Sequence, residues 1–167
     1  YHTTSVKDIA IAFIKLYPQY EINFEFNAKI DGVMPDIIVR MTDGYREYSF
    51  LVEVERKKYP KRFLGKVKVY DELFKGLDYK KHGLSERVKV LIVFSNFGFF
   101  PFWRPTDYQD MEVKSKIRIL ESHHSQLLHL ASGCSLKYYR FLPFYRFFEI
   151  NKPVWSMSNG GVTALIK

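Results

Sequence analysis

Two glutamates, Glu53 and Glu55, are the residues whose types and spacing first suggest chemistry in this sequence, within the segment FLVEVERKK. Residues two apart on a β-strand lie on the same face, with Cα atoms about 6.5–7 Å apart, so the two carboxylates would lie side by side. Carboxylate oxygens are the ligands that Mg²⁺ and Mn²⁺ prefer. Two interpretations are open at this point: part of a metal site, or the solvated face of an edge strand that pairs with Lys or Arg.

Asp36, Lys66 and Tyr70 extend the set in chain order. Asp36 follows Pro35 at the start of a predicted strand, and a hairpin leads from it to the strand of the glutamates, so acids from both strands can converge on one metal. Lys66 and Tyr70 lie four apart on one face of a predicted helix. Carboxylates with a nearby cation suit metal-dependent phosphodiester cleavage, in which positive charge offsets the charge that develops on phosphorus. The ordinary alternatives are a turn residue for Asp36 and an amphipathic helix face for the other two.

Five cations follow the glutamates within seven residues: Arg56, Lys57, Lys58, Lys61 and Arg62. We expect them to contact the phosphate backbone of DNA, and the alternative is a solvated loop. The chain as a whole has a formal net charge of +8, which also favours an anionic partner.

Hydrophobic periodicity predicts the elements that would position these residues. A helix over 3–18, ended by Pro18, is followed by strands over 20–30, 36–41 and 46–56, a helix over 59–77 and a strand over 87–96. Beyond these we expect a helix over 114–132, strand-like segments on both sides of Pro143 within 137–150, and then loop. The predicted fold class is therefore α/β, a three-layer type with an α-β-β-β-α-β core, a mixed sheet and C-terminal α/β additions.

In this order the residues resemble the PD-(D/E)xK nuclease superfamily, and residues 32–73 resemble the plasmid replication-relaxation proteins. The shared features are Pro-Asp, a glycine hairpin, an apolar strand ending in Glu-x-acid and Arg, and a helical Lys-x-x-x-Tyr. The resemblance implies a restriction-endonuclease-like core over about 5–95, with an extension over about 96–167 in the same single domain. It also implies an upstream winged-helix domain, and the chain begins at Tyr1 rather than Met.

The resemblance assigns roles to Asp36, Glu53, Glu55, Lys66 and Tyr70 as catalytic residues. Asp36 and Glu53, with Glu55, would be the ligands of Mg²⁺ or Mn²⁺. Glu55 stands where the superfamily normally has lysine, and Lys66 would be a relocated lysine. The implied function is a metal-dependent DNA endonuclease of plasmid, phage or mobile-element replication or transfer. Glu55 favours one alternative, an inactive DNA-binding or assembly module with the same fold. A third hypothesis is a self-associating structural protein that uses the aromatic C-terminal third and has no nucleic-acid role.

Other features narrow the function classes. No apolar run is long enough to span a bilayer, so we expect a cytoplasmic protein without a membrane partner. A single cysteine, Cys134, excludes an internal disulfide and a multi-cysteine zinc site. The spacing of His123, His124 and His129 does not suit a helical zinc site.

Two aromatic-rich segments cover residues 94–105 and 138–148. The first is predicted to pack over the core or form a subunit contact, with base stacking as the alternative. The second is predicted to be core or the interface of a homodimer.

Overall fold

The structure is a computed structural model that describes residues 2–55, 60–94 and 105–166. The chain is mixed α/β, with helices on a seven-stranded mixed sheet. The helices are α1 (His2–Leu16), α2 (Pro60–Lys75) and α3 (Met111–Leu130), with short 3₁₀ helices at Pro105–Gln109 and Phe144–Glu149. The strands are β1 (Glu21–Phe26), β2 (Ile37–Thr42), β3 (Glu47–Glu55), β4 (Lys89–Phe94), β5 (Tyr139–Pro143), β6 (Trp155–Ser156) and β7 (Val162–Thr163).

The strands lie in the sheet in the same order as in the sequence. β1, β2 and β3 are antiparallel neighbours, β3, β4 and β5 are parallel, and β6 and β7 return antiparallel. The predicted hairpin between β2 and β3 is confirmed. Gly44 adopts φ +89° in its turn, a conformation that glycine tolerates without strain. Asp43 Oδ1 accepts hydrogen bonds from the amides of Tyr45 and Arg46.

The sheet has a separate apolar core on each face, because side chains alternate along each strand. On one face Phe50, Val52 and Val54 of β3 lie in a core with α1 and the C-terminal segment. On the other face Leu51 lies in a core with residues of α2, α3, β4 and β5, including Tyr70. The predicted alternation of β3 is confirmed, and it places Glu53 and Glu55 on the face that α2 covers.

The prediction of a strand on both sides of Pro143 is wrong for the second side, because residues 144–149 form a 3₁₀ helix. The ladder with β4 ends at Pro143. Phe144 and Phe147 then stack with ring centroids 5.1 Å apart, as expected where a 3₁₀ helix superimposes residues three apart. The C-terminal remainder, predicted to be loop, contains the two short strands β6 and β7.

α3 begins three residues earlier than predicted because Asp110 caps it. Asp110 Oδ1 accepts hydrogen bonds from the amides of Glu112 and Val113, each at 3.0 Å, which satisfies two of the unpaired donors of the first turn.

Of the two aromatic segments, residues 95–104 of the first lie outside the described residues. In the second, Tyr139, Phe141, Tyr145 and Phe147 are buried, which agrees with a place in the core. The homodimer stays a prediction. None of the described helices is long and apolar enough to cross a membrane.

Candidate functional site

Glu53 and Glu55 lie in the interior of the protein, with 5% and 7% of their surface exposed. β3 is a central strand, hydrogen-bonded to β2 on one side and to β4 on the other, where Glu53 pairs with Ile92 and Glu55 with Phe94. α2 covers the face on which they lie. The interpretation as a solvated edge-strand face is therefore wrong, and the cost of burying two carboxylates requires compensating partners.

Lys66 supplies the compensating charge. Its Nζ lies 2.8 Å from Glu53 Oε2 and 2.5 Å from Glu55 Oε1, so one ammonium bridges both carboxylates. The Lys66 side chain is 29% exposed, so it remains in partial contact with solvent above the buried acids. Burial alone would lower the pKa of Lys66, but the two carboxylates outweigh it and raise that pKa above its ordinary value. Lys66 is accordingly held in its charged form.

Tyr70 fixes the second oxygen of Glu53. Its buried hydroxyl donates a 2.7 Å hydrogen bond to Glu53 Oε1. Burial raises the pKa of Tyr70 well above its ordinary value, and the neighbouring Glu53 raises it further, so Tyr70 acts as a neutral donor. The predicted shared face of Lys66 and Tyr70 is confirmed, since both reach the same carboxylate.

Asp36 lies immediately before β2, beside the end of the ladder in which Ile37 pairs with Val52. Its Oδ2 accepts a 2.8 Å hydrogen bond from the amide of Val54, which ties it to the strand of the two glutamates. Burial raises the pKa of Glu53; Lys66 and Tyr70 offset part of this, and the charge of Asp36 adds to it. Asp36 is thus hydrogen-bonded to the backbone of the residue that follows Glu53, which places both carboxylates at the same end of β3.

The donor set suits a hard divalent cation, because Asp36, Glu53 and Glu55 offer only carboxylate oxygens. Within residues 2–55, 60–94 and 105–166, however, no three His, Cys, Asp or Glu side chains form a group that could hold a metal ion. Mg²⁺ commonly binds through one or two carboxylates together with water and substrate oxygens. Asp36 and Glu53 fit that smaller set, while Lys66 occupies the space between Glu53 and Glu55.

Most of the predicted DNA contacts cannot be placed. Arg56, Lys57 and Lys58 lie outside the described residues, and Lys61 belongs to α2 but its side chain lies outside them too. Arg62 is exposed on the first turn of α2. The structure thus puts one of the five predicted contacts on the surface, a short distance along the chain from Lys66.

His124 and Cys134 are both at least partly buried. His124 is buried, its Nε2 lies 3.3 Å from Ser156 Oγ, and burial lowers its pKa to about 4. Cys134 is half-buried, and burial raises its pKa to about 11.

Sequence reasoning missed a pocket beside α3 whose lining includes Tyr108, Lys114, Arg118 and Arg146. The available signal was the i, i+4 spacing of Lys114 and Arg118 on a predicted helix. The pocket itself is built from three segments, which periodicity does not bring together.

No protein-family model, curated protein or solved structure matches this chain. The resemblance of residues 32–73 to the replication-relaxation proteins therefore stays a prediction, and the functional proposal depends on the residues and their geometry.

Proposed function

We propose that this chain is a restriction-endonuclease-like domain that binds DNA and hydrolyses its phosphodiester bonds with Mg²⁺ or Mn²⁺. It would act in the cytoplasm in plasmid, phage or mobile-element replication or transfer. The observation that carries the proposal is the position of Lys66, whose Nζ lies 2.8 Å from Glu53 Oε2. The related nucleases carry a lysine on the strand where this chain has Glu55. Here Lys66 of α2 would provide that positive charge beside Glu53 and Glu55.

The arrangement of elements also supports the proposal. α1, the antiparallel strands β1 to β3, the connecting α2 and the parallel β4 follow the α-β-β-β-α-β order expected for this nuclease core. Asp36, immediately before β2, and Glu53, on the antiparallel neighbour β3, would form the proposed ligand pair.

In the proposed mechanism, Asp36 and Glu53 would hold the cation. When bound, it would supply Lewis acidity and an acidified water for attack on phosphorus. Tyr70 donates to Glu53 Oε1 and orients that carboxylate. The Val54 amide does the same for Asp36. Lys66 places positive charge where the attacked phosphate gains negative charge, and Glu55 holds the Lys66 ammonium in position.

A second candidate function is an inactive DNA-binding or assembly module with the same fold. The observation in its favour is that Lys66 is engaged by both glutamates, at 2.8 and 2.5 Å. An ammonium shared by two carboxylates is less available to a phosphate, and Glu53 already accepts hydrogen bonds on both of its oxygens.

A supercoiled-plasmid nicking assay tests the proposal. We expect nicking with Mg²⁺ or Mn²⁺, and a loss of about 100-fold or more in Asp36→Asn and Glu53→Gln, which keep side-chain shape but remove a charge from the proposed site. Lys75→Met is the matched control, because Lys75 lies on the same helix but pairs with Glu72 on the surface. It should nick at the wild-type rate.

The outcomes separate the candidates. Salt-sensitive DNA binding without nicking would favour the inactive module. Absence of both would reject both candidates and leave the self-associating structural protein. Thermal stabilisation by Mn²⁺ gives a second readout: if the shift persists unchanged in Asp36→Asn, Asp36 is not a ligand.

A further inference from the structure

A pocket lies beside α3, and none of its lining residues belongs to the cluster of buried carboxylates. It is a pocket of about 450 Å³ lined by Tyr108, Lys114, Ile117, Arg118, Tyr145, Arg146 and Glu149. The volume lies within the range of small-ligand sites, about 300–1,000 Å³. The lining comes from the 3₁₀ helix Pro105–Gln109, from α3 and from the 3₁₀ helix Phe144–Glu149.

The pocket has an excess of positive charge. Its three cations are Lys114, Arg118 and Arg146, and its one carboxylate is Glu149. Glu149 is already paired, with Arg146 at 3.1 Å and with Lys152 at 3.6 Å. Among the ion pairs of the described residues, none joins Lys114 or Arg118 to an acid. These two side chains, one turn apart on α3, therefore present uncompensated charge to a ligand.

The rest of the lining is aromatic and apolar. Tyr108 is half-buried, and its hydroxyl donates a 3.2 Å hydrogen bond to the carbonyl of Tyr145. The two rings meet edge to face at 5.8 Å, and Ile117 packs against the same cluster. Tyr145 in turn donates to Glu121. These contacts hold the aromatic wall in place, so a ligand would meet it preformed.

We propose that this pocket binds a nucleotide, with its phosphate on Lys114 and Arg118 and its base on the Tyr108 side. A planar guanidinium offers two parallel donors to phosphate oxygens, and lysine adds a point charge. An aromatic ring packs against any base through its π-face. The ligand is either a free nucleotide or one nucleotide unit of a single strand. The site shares no residue with the carboxylate cluster, so it stands independently of the proposed nuclease activity.

Titrations of the whole chain in EDTA at constant salt test the site. The probes are thymidine 5′-monophosphate, 2-deoxyribose 5-phosphate and a fluorescein-labelled dodecathymidylate. We expect at least one nucleotide probe to bind wild type and to lose about 10-fold or more in affinity in Lys114→Gln/Arg118→Gln. Lys116→Gln is the control, because Lys116 lies on the same helix but pairs with Glu112 at 2.6 Å outside the pocket lining. It should bind like wild type.

The probes distinguish the ligand sources. Binding of the monophosphate, more tightly than the base-free sugar phosphate, identifies a free-nucleotide site. Binding of the oligonucleotide alone, with the same loss in the double variant, identifies a strand contact. Equal binding of the monophosphate and the sugar phosphate would overturn the assignment of the base to Tyr108. No binding by any probe, or an unchanged affinity in a double variant with a wild-type circular dichroism spectrum, would overturn the proposal. Because the titrations contain EDTA and the cleavage assay requires Mg²⁺ or Mn²⁺, a failure of the proposed nuclease activity would leave the outcome of these titrations unaffected.

Discussion

Lys66→Met is expected to lower the free energy of unfolding at pH 7 by about 3 kcal/mol, the scale for breaking a buried ion pair by removing one partner. Methionine keeps much of the length of the side chain but removes the ammonium that lies 2.8 Å from Glu53 and 2.5 Å from Glu55. Two carboxylates would then face each other in the interior without a cation. Urea unfolding followed by circular dichroism measures the change.

Two comparisons separate charge from packing. Lys75→Met removes a surface ion pair with Glu72 on the same helix, in which the two side chains are 70% and 71% exposed. We expect the free energy of unfolding to change by no more than about 0.5 kcal/mol. The triple variant Lys66→Met/Glu53→Gln/Glu55→Gln removes all three charges and should recover most of the lost stability. A Lys66→Met protein as stable as wild type would show that Lys66 does not bridge the glutamates in the folded protein.

The effect of Lys66→Met should depend on pH in a defined direction. The pKa of Lys66 is raised above 10.5 in the folded state, so its contribution is fully present below that value and is lost as the pH rises through the folded pKa. The pKa of Glu53 is raised above 4.5, so folding favours its protonated form, and ionisation costs stability as the pH rises. Without Lys66 that cost increases. The difference between wild type and variant should therefore grow as the pH rises from 4.5 towards neutral and shrink as the pH rises beyond 10.5.

Strand alternation was enough to predict which side chains of β3 share a face. Side chains alternate between the two faces of a strand, so the apolar Phe50, Val52 and Val54 fall on one face. Glu53 and Glu55 fall on the other, and no tertiary information is needed to see this. The burial of the glutamates was not predictable in the same way. It depends on β4, whose Ile92 and Phe94 come nearly forty residues later, and on the covering helix α2. The sequence of β3 alone is equally compatible with a solvated pair of acids, because it does not show which elements cover them.

The four-residue spacing predicted that Lys66 and Tyr70 share a helix face, and the family resemblance implied the place of Lys66 at the site. Both side chains reach Glu53. Secondary structure could not be predicted from the sequence where the hydrophobic pattern is short or fits two kinds of element. Aromatic residues in 144–148 suit a strand or a 3₁₀ helix, and the packing decides. β6 and β7 have two residues each, too few to show a period.

Trp155 connects the C-terminal segment to the core on the α1 face of the sheet. It is 1% exposed, and its indole Nε1 donates a 3.0 Å hydrogen bond to the carbonyl of Ile150. The same core contains Phe13 of α1, and the hydroxyl of Tyr17 donates to the same Ile150 carbonyl at 3.0 Å. From this packing we expect residues 105–166, the described part of the predicted extension, to unfold together with the core.

Trp155→Ala is therefore expected to lower the free energy of unfolding by about 3–5 kcal/mol, because it leaves a large cavity and removes one of the two hydrogen bonds that the Ile150 carbonyl accepts. The whole circular dichroism transition should move to lower urea with its single sigmoidal shape retained. Tyr45→Ala is the control: it removes an aromatic side chain from a residue that is 96% exposed, and its effect should stay within about 0.5 kcal/mol. The contrary outcome is a transition in two steps, in which part of the circular dichroism signal is lost at lower urea and the rest keeps the wild-type midpoint. That result would show that the C-terminal segment is a separate folding unit. β5 to β7 would then not stabilise the strand that carries Glu53.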